Sequence, residues 1–160
     1  MSSIKEQFQE EVRKYLDRLT DQLTSVLKQL VEYSYVPEVK SLDFEVFCDG
    51  FTQEFPVRAF FMDEDNGEHF ISIDGQAQYP CPINPGLLEI ERVYPPGLEE
   101  MYFQQDEGLD TFTVAGETLI SWFVECWEKA GGLSFPLQAH IALHDDIKTF
   151  DLVHQKWQYY

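Results

Sequence analysis

The apolar periodicity of this chain changes once, at Pro37, and that change constrains the fold more than any other feature. Before it, Val12, Leu16, Leu19, Leu23, Val26 and Leu30 recur at alternating spacings of four and three residues, a heptad stripe that Ile4 and Phe8 extend toward the N-terminus. No glycine or proline interrupts the stretch. Ser2 or Ser3 is placed to cap it, with Glu6 as the capping-box partner of Ser3. The spacing predicts one continuous helix over residues 3–33, roughly 45 Å long. A rod of that length either packs along the rest of the chain or pairs with its counterpart in a homodimer.

After Pro37 the period is two. Leu42, Phe44, Val46 and Cys48 alternate with Asp43, Glu45, Phe47 and Asp49, which marks a half-buried strand. Residues 56–63 and 68–73 read as the next two strands. Asn66-Gly67 between them is a type I′ hairpin signal, since both central residues of that turn need positive φ. The register that follows sets Asp65 opposite Glu68, Met62 opposite Ile71 and Phe60 opposite Ile73. Prolines and glycines then punctuate the chain from Pro80 to Gly97. Within that stretch residues 87–94 alternate loosely as a fourth strand, and residues 98–110 form a short acidic helix or loop.

Thr113 is placed to cap a helix over residues 114–130, stopped by Gly131-Gly132. Leu119, Ile120, Phe123, Cys126, Trp127 and Ala130 form its inner stripe, and Trp122 and Val124 widen it. A helix apolar on most of its circumference belongs in an interior. Residues 137–143 and 149–153 read as two more strands joined by a turn. The order defines an α+β fold in a single domain over residues 1–160. A long N-terminal helix (1–33) packs on, or extends from, an acidic body (37–160). That body holds a mostly antiparallel sheet of five to six strands and the second, buried helix.

The acidity belongs to that body. Residues 1–33 hold six acids and five bases, whereas residues 34–160 hold 23 acids and six bases, most of the formal net charge of −18. This excludes a conventional nucleic-acid binder, which needs a basic face, and docking on an anionic membrane. No apolar run approaches the roughly 18 residues of a membrane span. The N-terminus lacks a signal-peptide apolar region. Cys48, Cys81 and Cys126 are an odd number with no CxxC, which points to a reduced, cytoplasmic protein. Cys126 falls on the buried stripe of its helix and Cys48 on the apolar face of its strand. Cys81, between Pro80 and Pro82, is expected to be exposed.

No nucleophile elbow, phosphate-binding loop or dinucleotide motif is present in the sequence. His140 and His144 have a metal-ligand spacing only on a helix. On a strand four residues span roughly 13 Å, too far for one ion to bridge. A bend at His144 leaves a weaker alternative, a metal or small-ligand site, or an uncharacterised hydrolase centre, built on His144, Asp145 and Asp146. Asp63-x-Asp65-x-Gly67 has the acids of a calcium loop in the wrong frame, and a hairpin turn accounts for them. No catalytic residue and no cofactor is assigned.

The stretch 89–117 carries eight acids against Arg92 alone. Large apolar residues lie among them, an interface composition. A solvated surface tuned for solubility explains the same pattern. The reading that exploits the charge is a non-enzymatic interaction module that binds a basic protein partner. Glu99, Glu100, Asp106, Glu107 and Asp110 would supply the charge, and Tyr102 and Phe103 the apolar anchors. The composition is similar to that of small acidic inhibitors, such as toxin-immunity proteins and nucleic-acid mimics, an analogy that covers no motif.

Overall fold

The computed structural model describes residues 3–159. In chain order these form α1 (Ile4–Asp17), α2 (Thr20–Glu32), β1 (Ser41–Val46), β2 (Val57–Met62), β3 (Ile71–Ile73) and β4 (Gln76–Gln78). Then follow α3 (Gly97–Gln105), α4 (Thr111–Lys129), a 3-10 turn (Gly132–Ser134), β5 (Gln138–Leu143), β6 (Lys148–Asp151) and β7 (Lys156–Tyr159). The fold is α+β. Five strands make a mixed sheet in the order β2-β1-β5-β6-β7, and β3 and β4 pair separately. Every pair in both sheets is antiparallel except β1 with β5, which run parallel.

The N-terminal stripe is buried, but the helix is not continuous. Phe8, Val12 and Leu16 of α1 and Leu23, Leu27 and Leu30 of α2 are inaccessible to solvent. Between the two helices Leu19 N–H donates to Leu16 O, an i→i−3 bond that tightens the turn. Arg18 and Leu19 both stay in the right-handed region, so the chain continues in the same sense. A tertiary bond accompanies the break. Trp122 of α4, almost wholly buried, donates its indole N–H to Thr20 Oγ1 at 2.9 Å. A buried indole N–H needs an acceptor, and the first residue of α2 provides it. Leu19 and Val26, on the sequence stripe, are only partly buried, while Leu27, off it, is core. Most of the stripe therefore packs within the chain. The N-terminal cap forms as the sequence implies, with Ser3 Oγ accepting from Glu6 N–H at 3.1 Å.

α4 is the centre of the packing. Phe123 and Trp127 lie against Phe44 of β1, with ring centroids 4.9 and 5.9 Å apart. α1 and α2 run along its other side. Two glycines permit the close approach. A Cβ on Gly116 would sit 2.6 Å from Leu143 Cδ2 and 2.7 Å from Cys48 Sγ. One on Gly132 would sit 2.2–2.4 Å from the Trp127 indole. The C-terminal stop at Gly131 holds, with φ 86°. The start lies earlier than Thr113 implies. Asp110 is the cap, accepting from Thr113 N–H at 3.1 Å and Thr113 Oγ1 at 2.7 Å.

The expected hairpin at Asn66-Gly67 is corrected. Only Asn66 has positive φ there. The turn is longer and is organised by Asp63, whose Oδ1 accepts from the N–H groups of Asp65 and Gly67 at 2.9 and 2.8 Å. Met62 then bridges Glu68, not Ile71. The two-residue primed turn is Asp74-Gly75, with φ 53° and 78°, joining β3 to β4 with Ile73 opposite Gln76. Asp-Gly carries the same signal as Asn-Gly. Residues 87–94 form no strand. They belong to a loop fastened to the body by Ala59 N–H to Pro85 O and Val93 N–H to Phe51 O, both 2.7 Å. That loop buries Cys81, against the expectation from its flanking prolines. β4 and β7 were not foreseen.

Because the Trp127 ring occupies the space a side chain at 132 would need, Gly132→Ala is expected to cost about 1–3 kcal/mol of overpacking. Denaturant unfolding monitored by tryptophan fluorescence measures it.

Candidate functional site

α3 and the loop after it carry the acidic surface. Leu98 and Tyr102, one helical turn apart, are buried and hold α3 to the body. The Tyr102 ring lies 5.3 Å from that of Phe8, so Tyr102 is a core anchor and is not presented to a partner. Glu99 is half-buried and accepts from the Tyr94 hydroxyl at 3.0 Å; burial pushes its carboxyl up. Tyr94 in turn stacks on Phe51 at 5.3 Å. Asp110 caps α4, and the hydrogen bonds from Thr113 hold its carboxyl below the usual range.

Of the seven residues singled out, Glu100, Phe103 and Glu107 therefore remain exposed and free of a role in the packing, and Asp106 is exposed but also accepts from Gly108 N–H in the loop after α3. Met101, one of the large apolar residues of the acidic stretch, and Phe112, which the sequence reading did not nominate, stand exposed with Phe103, each close to half accessible. Among the described residues no lysine or arginine forms an ion pair with any acid of the 89–117 stretch. The Lys and Arg pairs join Arg13 to Asp17 and Glu125, and Lys14 to Glu11.

The histidines lie elsewhere, on the sheet face turned away from α4. His140 Nδ1 is 3.3 Å from Asp43 Oδ1 and His144 Nδ1 is 3.1 Å from Glu45 Oε2, so each pairs with a carboxylate of β1. His144 Nε2 lies 3.4 Å from Asp145 Oδ2, but Asp146 turns to its own backbone and accepts from Ile147 N–H at 2.7 Å. His144, Asp145 and Asp146 are thus not gathered on one point. Among the described residues no group of three His, Cys, Asp or Glu side chains is arranged to hold a metal ion.

Sequence reasoning missed Asp151. It is opposite His140 in the β5–β6 ladder and is 6 % exposed. Burial alone would raise its carboxyl. Hydrogen bonds from the His154 backbone and ring and from Val153 N–H together outweigh that and hold it below the usual range. Asp43, His140 and Asp151 form a row across three strands, and Asp43 and His140 line an open recess of about 250 Å³ together with Ser41, Gln138, Thr149 and Gln158. The thiols lie apart from this row. Burial pushes Cys48 up to about 11, with Asp110 and Asp49 adding to it, and burial raises Cys126 and Cys81 as well. None is an activated thiolate.

Among the described residues no helix is long and apolar enough to cross a membrane. Compared with protein-family models, with curated proteins and with solved structures, the chain finds no match.

The Asp43 hydrogen bond raises His140 above the ordinary histidine value, against the opposing effect of burial, with the Asp43 and Asp151 charges adding. A raised folded-state pKa contributes stability that is complete below the unfolded value and is lost as pH rises through the folded one. The stability gap between wild type and His140→Gln is therefore expected to be larger at about pH 5 than at about pH 8.5. Urea unfolding at the two pH values reads the difference.

Proposed function

We propose that this protein is a non-enzymatic interaction module whose α3 surface binds a basic protein. The observation that carries the reading is the arrangement around residues 100–112. Glu100, Asp106 and Glu107 are exposed acids with no Lys or Arg partner among the described residues. They alternate along the chain with exposed Met101, Phe103 and Phe112. Apolar anchors ringed by charge are the composition of a protein interface. α3 is a fixed platform for them, because Leu98 and Tyr102 tie it to the core. The energetic logic is electrostatic. A body this acidic repels itself, and a lysine- and arginine-rich partner relieves the repulsion while the field steers its approach. Asp106 Oδ1 accepts from Gly108 N–H at 3.1 Å, which holds the loop between α3 and α4 in place and presents Glu107 at its tip.

The test begins with affinity capture from the native host at low and high salt. Reversal of Glu100, Asp106 and Glu107 to Lys is then expected to leave the fold intact. It should slow association with the captured basic partner by about tenfold or more at low salt, with the difference shrinking as salt screens the field. Stopped-flow association rates measure it. Equal rates for wild type and variant at low salt would return the acidity to solubility alone.

A further inference from the structure

The two edges of the five-stranded sheet are finished differently. At the β2 edge the chain covers itself. Ala59 N–H donates to Pro85 O at 2.7 Å, and His69 N–H donates to Phe61 O at 2.6 Å. At the other edge stands β7, paired with β6 alone. Among the described residues no backbone bond outside that ladder reaches Lys156, Trp157, Gln158 or Tyr159. Its outward N–H and C=O groups can be satisfied in kind only by another strand. No proline or bulge interrupts it.

The side chains at this edge are apolar on one face. Trp157 is 44 % and Tyr159 73 % exposed, and Trp157 meets Phe150 of β6 edge-on at 5.3 Å. Lys148 lies over the Trp157 ring at 4.8 Å. The charge here is also unlike that of the rest of the body. From Ile147 onward the chain carries Lys148 and Lys156, and its single acid, Asp151, is buried. A lysine-rich partner of the kind the α3 surface attracts would meet like charge at β7.

We infer that β7 is a self-association edge, on which the β7 strand of a second copy pairs antiparallel about a two-fold axis to continue the sheet. Three features of the strand select a second copy as the occupant. First, two identical free edges satisfy each other reciprocally, as an isologous contact requires. Second, the strand is self-complementary. A two-fold axis through Gln158 sets Trp157 of each copy opposite Tyr159 of the other on the aromatic face, and Gln158 opposite Gln158 on the reverse. Directly opposed aromatic pairs stabilise a sheet. Third, the ends match in charge. Tyr159 lies opposite Lys148, at the end of the sheet where the Asp145-Asp146 turn projects, whereas Lys156 lies at the far end opposite Asp151. Antiparallel pairing carries the Lys156 of each copy toward the acidic turn of the other. The pairing is independent of the α3 surface, and salt separates the two. Copies that are strongly acidic overall associate more tightly as salt screens their repulsion, whereas a basic partner binds less tightly.

The experiment is sedimentation velocity of the full chain over a concentration series at low and high salt, with Tyr159→Lys as the variant. Tyr159 is highly exposed, so the variant is expected to keep wild-type thermal unfolding, which is measured alongside. The expected result is a monomer–dimer equilibrium that tightens with salt and that Tyr159→Lys weakens by about tenfold or more. Gln158→Arg, which places two like charges opposite each other at the axis, is the second variant and should weaken the dimer likewise. A wild type that stays monomeric up to millimolar concentration at high salt overturns the inference. So does a dimer whose affinity neither variant alters.

Discussion

The enclosure of α4 is the constraint on which the rest of the structure depends. Val114, Leu119, Ile120, Trp122, Phe123, Cys126 and Trp127 make most of the helix circumference apolar and leave Glu117, Ser121, Glu125 and Glu128 as one exposed polar stripe, so it needs cover on more than one flank. The sheet provides one cover through Phe44, and the N-terminal helices provide the other. The consequences spread from there. Gly116 and Gly132 stand where the sheet and the Trp127 indole come too close for a side chain. The Trp122 N–H takes its acceptor from Thr20, at the point where the N-terminal helix is interrupted. Phe8, the first fully buried residue of α1, reaches Tyr94 and Tyr102 and so ties α3 to the same core.

Once the interior is taken up in this way, the charged residues are left on the perimeter in two distinct settings. On the sheet face away from α4 they are satisfied in pairs, Asp43 with His140 and Asp151 with His154. Around α3 they are not paired with bases at all. The same acidity therefore serves structure in one place and remains open to a partner in the other. Buried or hydrogen-bonded carboxylates such as Asp151, Glu99 and Asp110 are committed to the fold. Glu100 and Glu107 project a field into solvent that only an external cation can answer, and exposed Asp106 adds to it while accepting from Gly108 N–H.

Periodicity and end signals carried most of the architecture, because they depend on neighbours in the chain. The alternation of Leu42, Phe44 and Val46, the apolar majority of the α4 circumference and its stop at Gly131 are local patterns that the structure realises, and the 4-3 stripe is realised in part, with Leu19 and Val26 only partly buried. The presence of an acidic surface on residues 89–117 was legible in the same way, from composition. The burial of Tyr102 and the commitment of Glu99 and Asp110 were not, since those follow from what packs beside them.

 For Glu99 it is the Tyr94 hydroxyl, and for Tyr102 it is Phe8, more than ninety residues earlier in the chain.

By itself the sequence determined the N-terminal and α4 helical segments and the strands β1, β2, β5 and β6, where the charge is concentrated, and that most of α4 is interior. Each of these rests on spacing, propensity or composition within a short window. Tertiary structure alone decided the rest. The break in the N-terminal helix falls where Trp122 meets Thr20 across 102 residues, a contact outside any local window. The choice between Asn66-Gly67 and Asp74-Gly75 as the primed turn was settled by how β2 continues past Met62, since both dipeptides carry the same local preference. The parallel pairing of β1 with β5, which brings Asp43 beside His140, joins segments nearly a hundred residues apart. A local pattern holds no record of such a partner, because the energy that selects it is the burial of surfaces that meet only when the whole chain has closed.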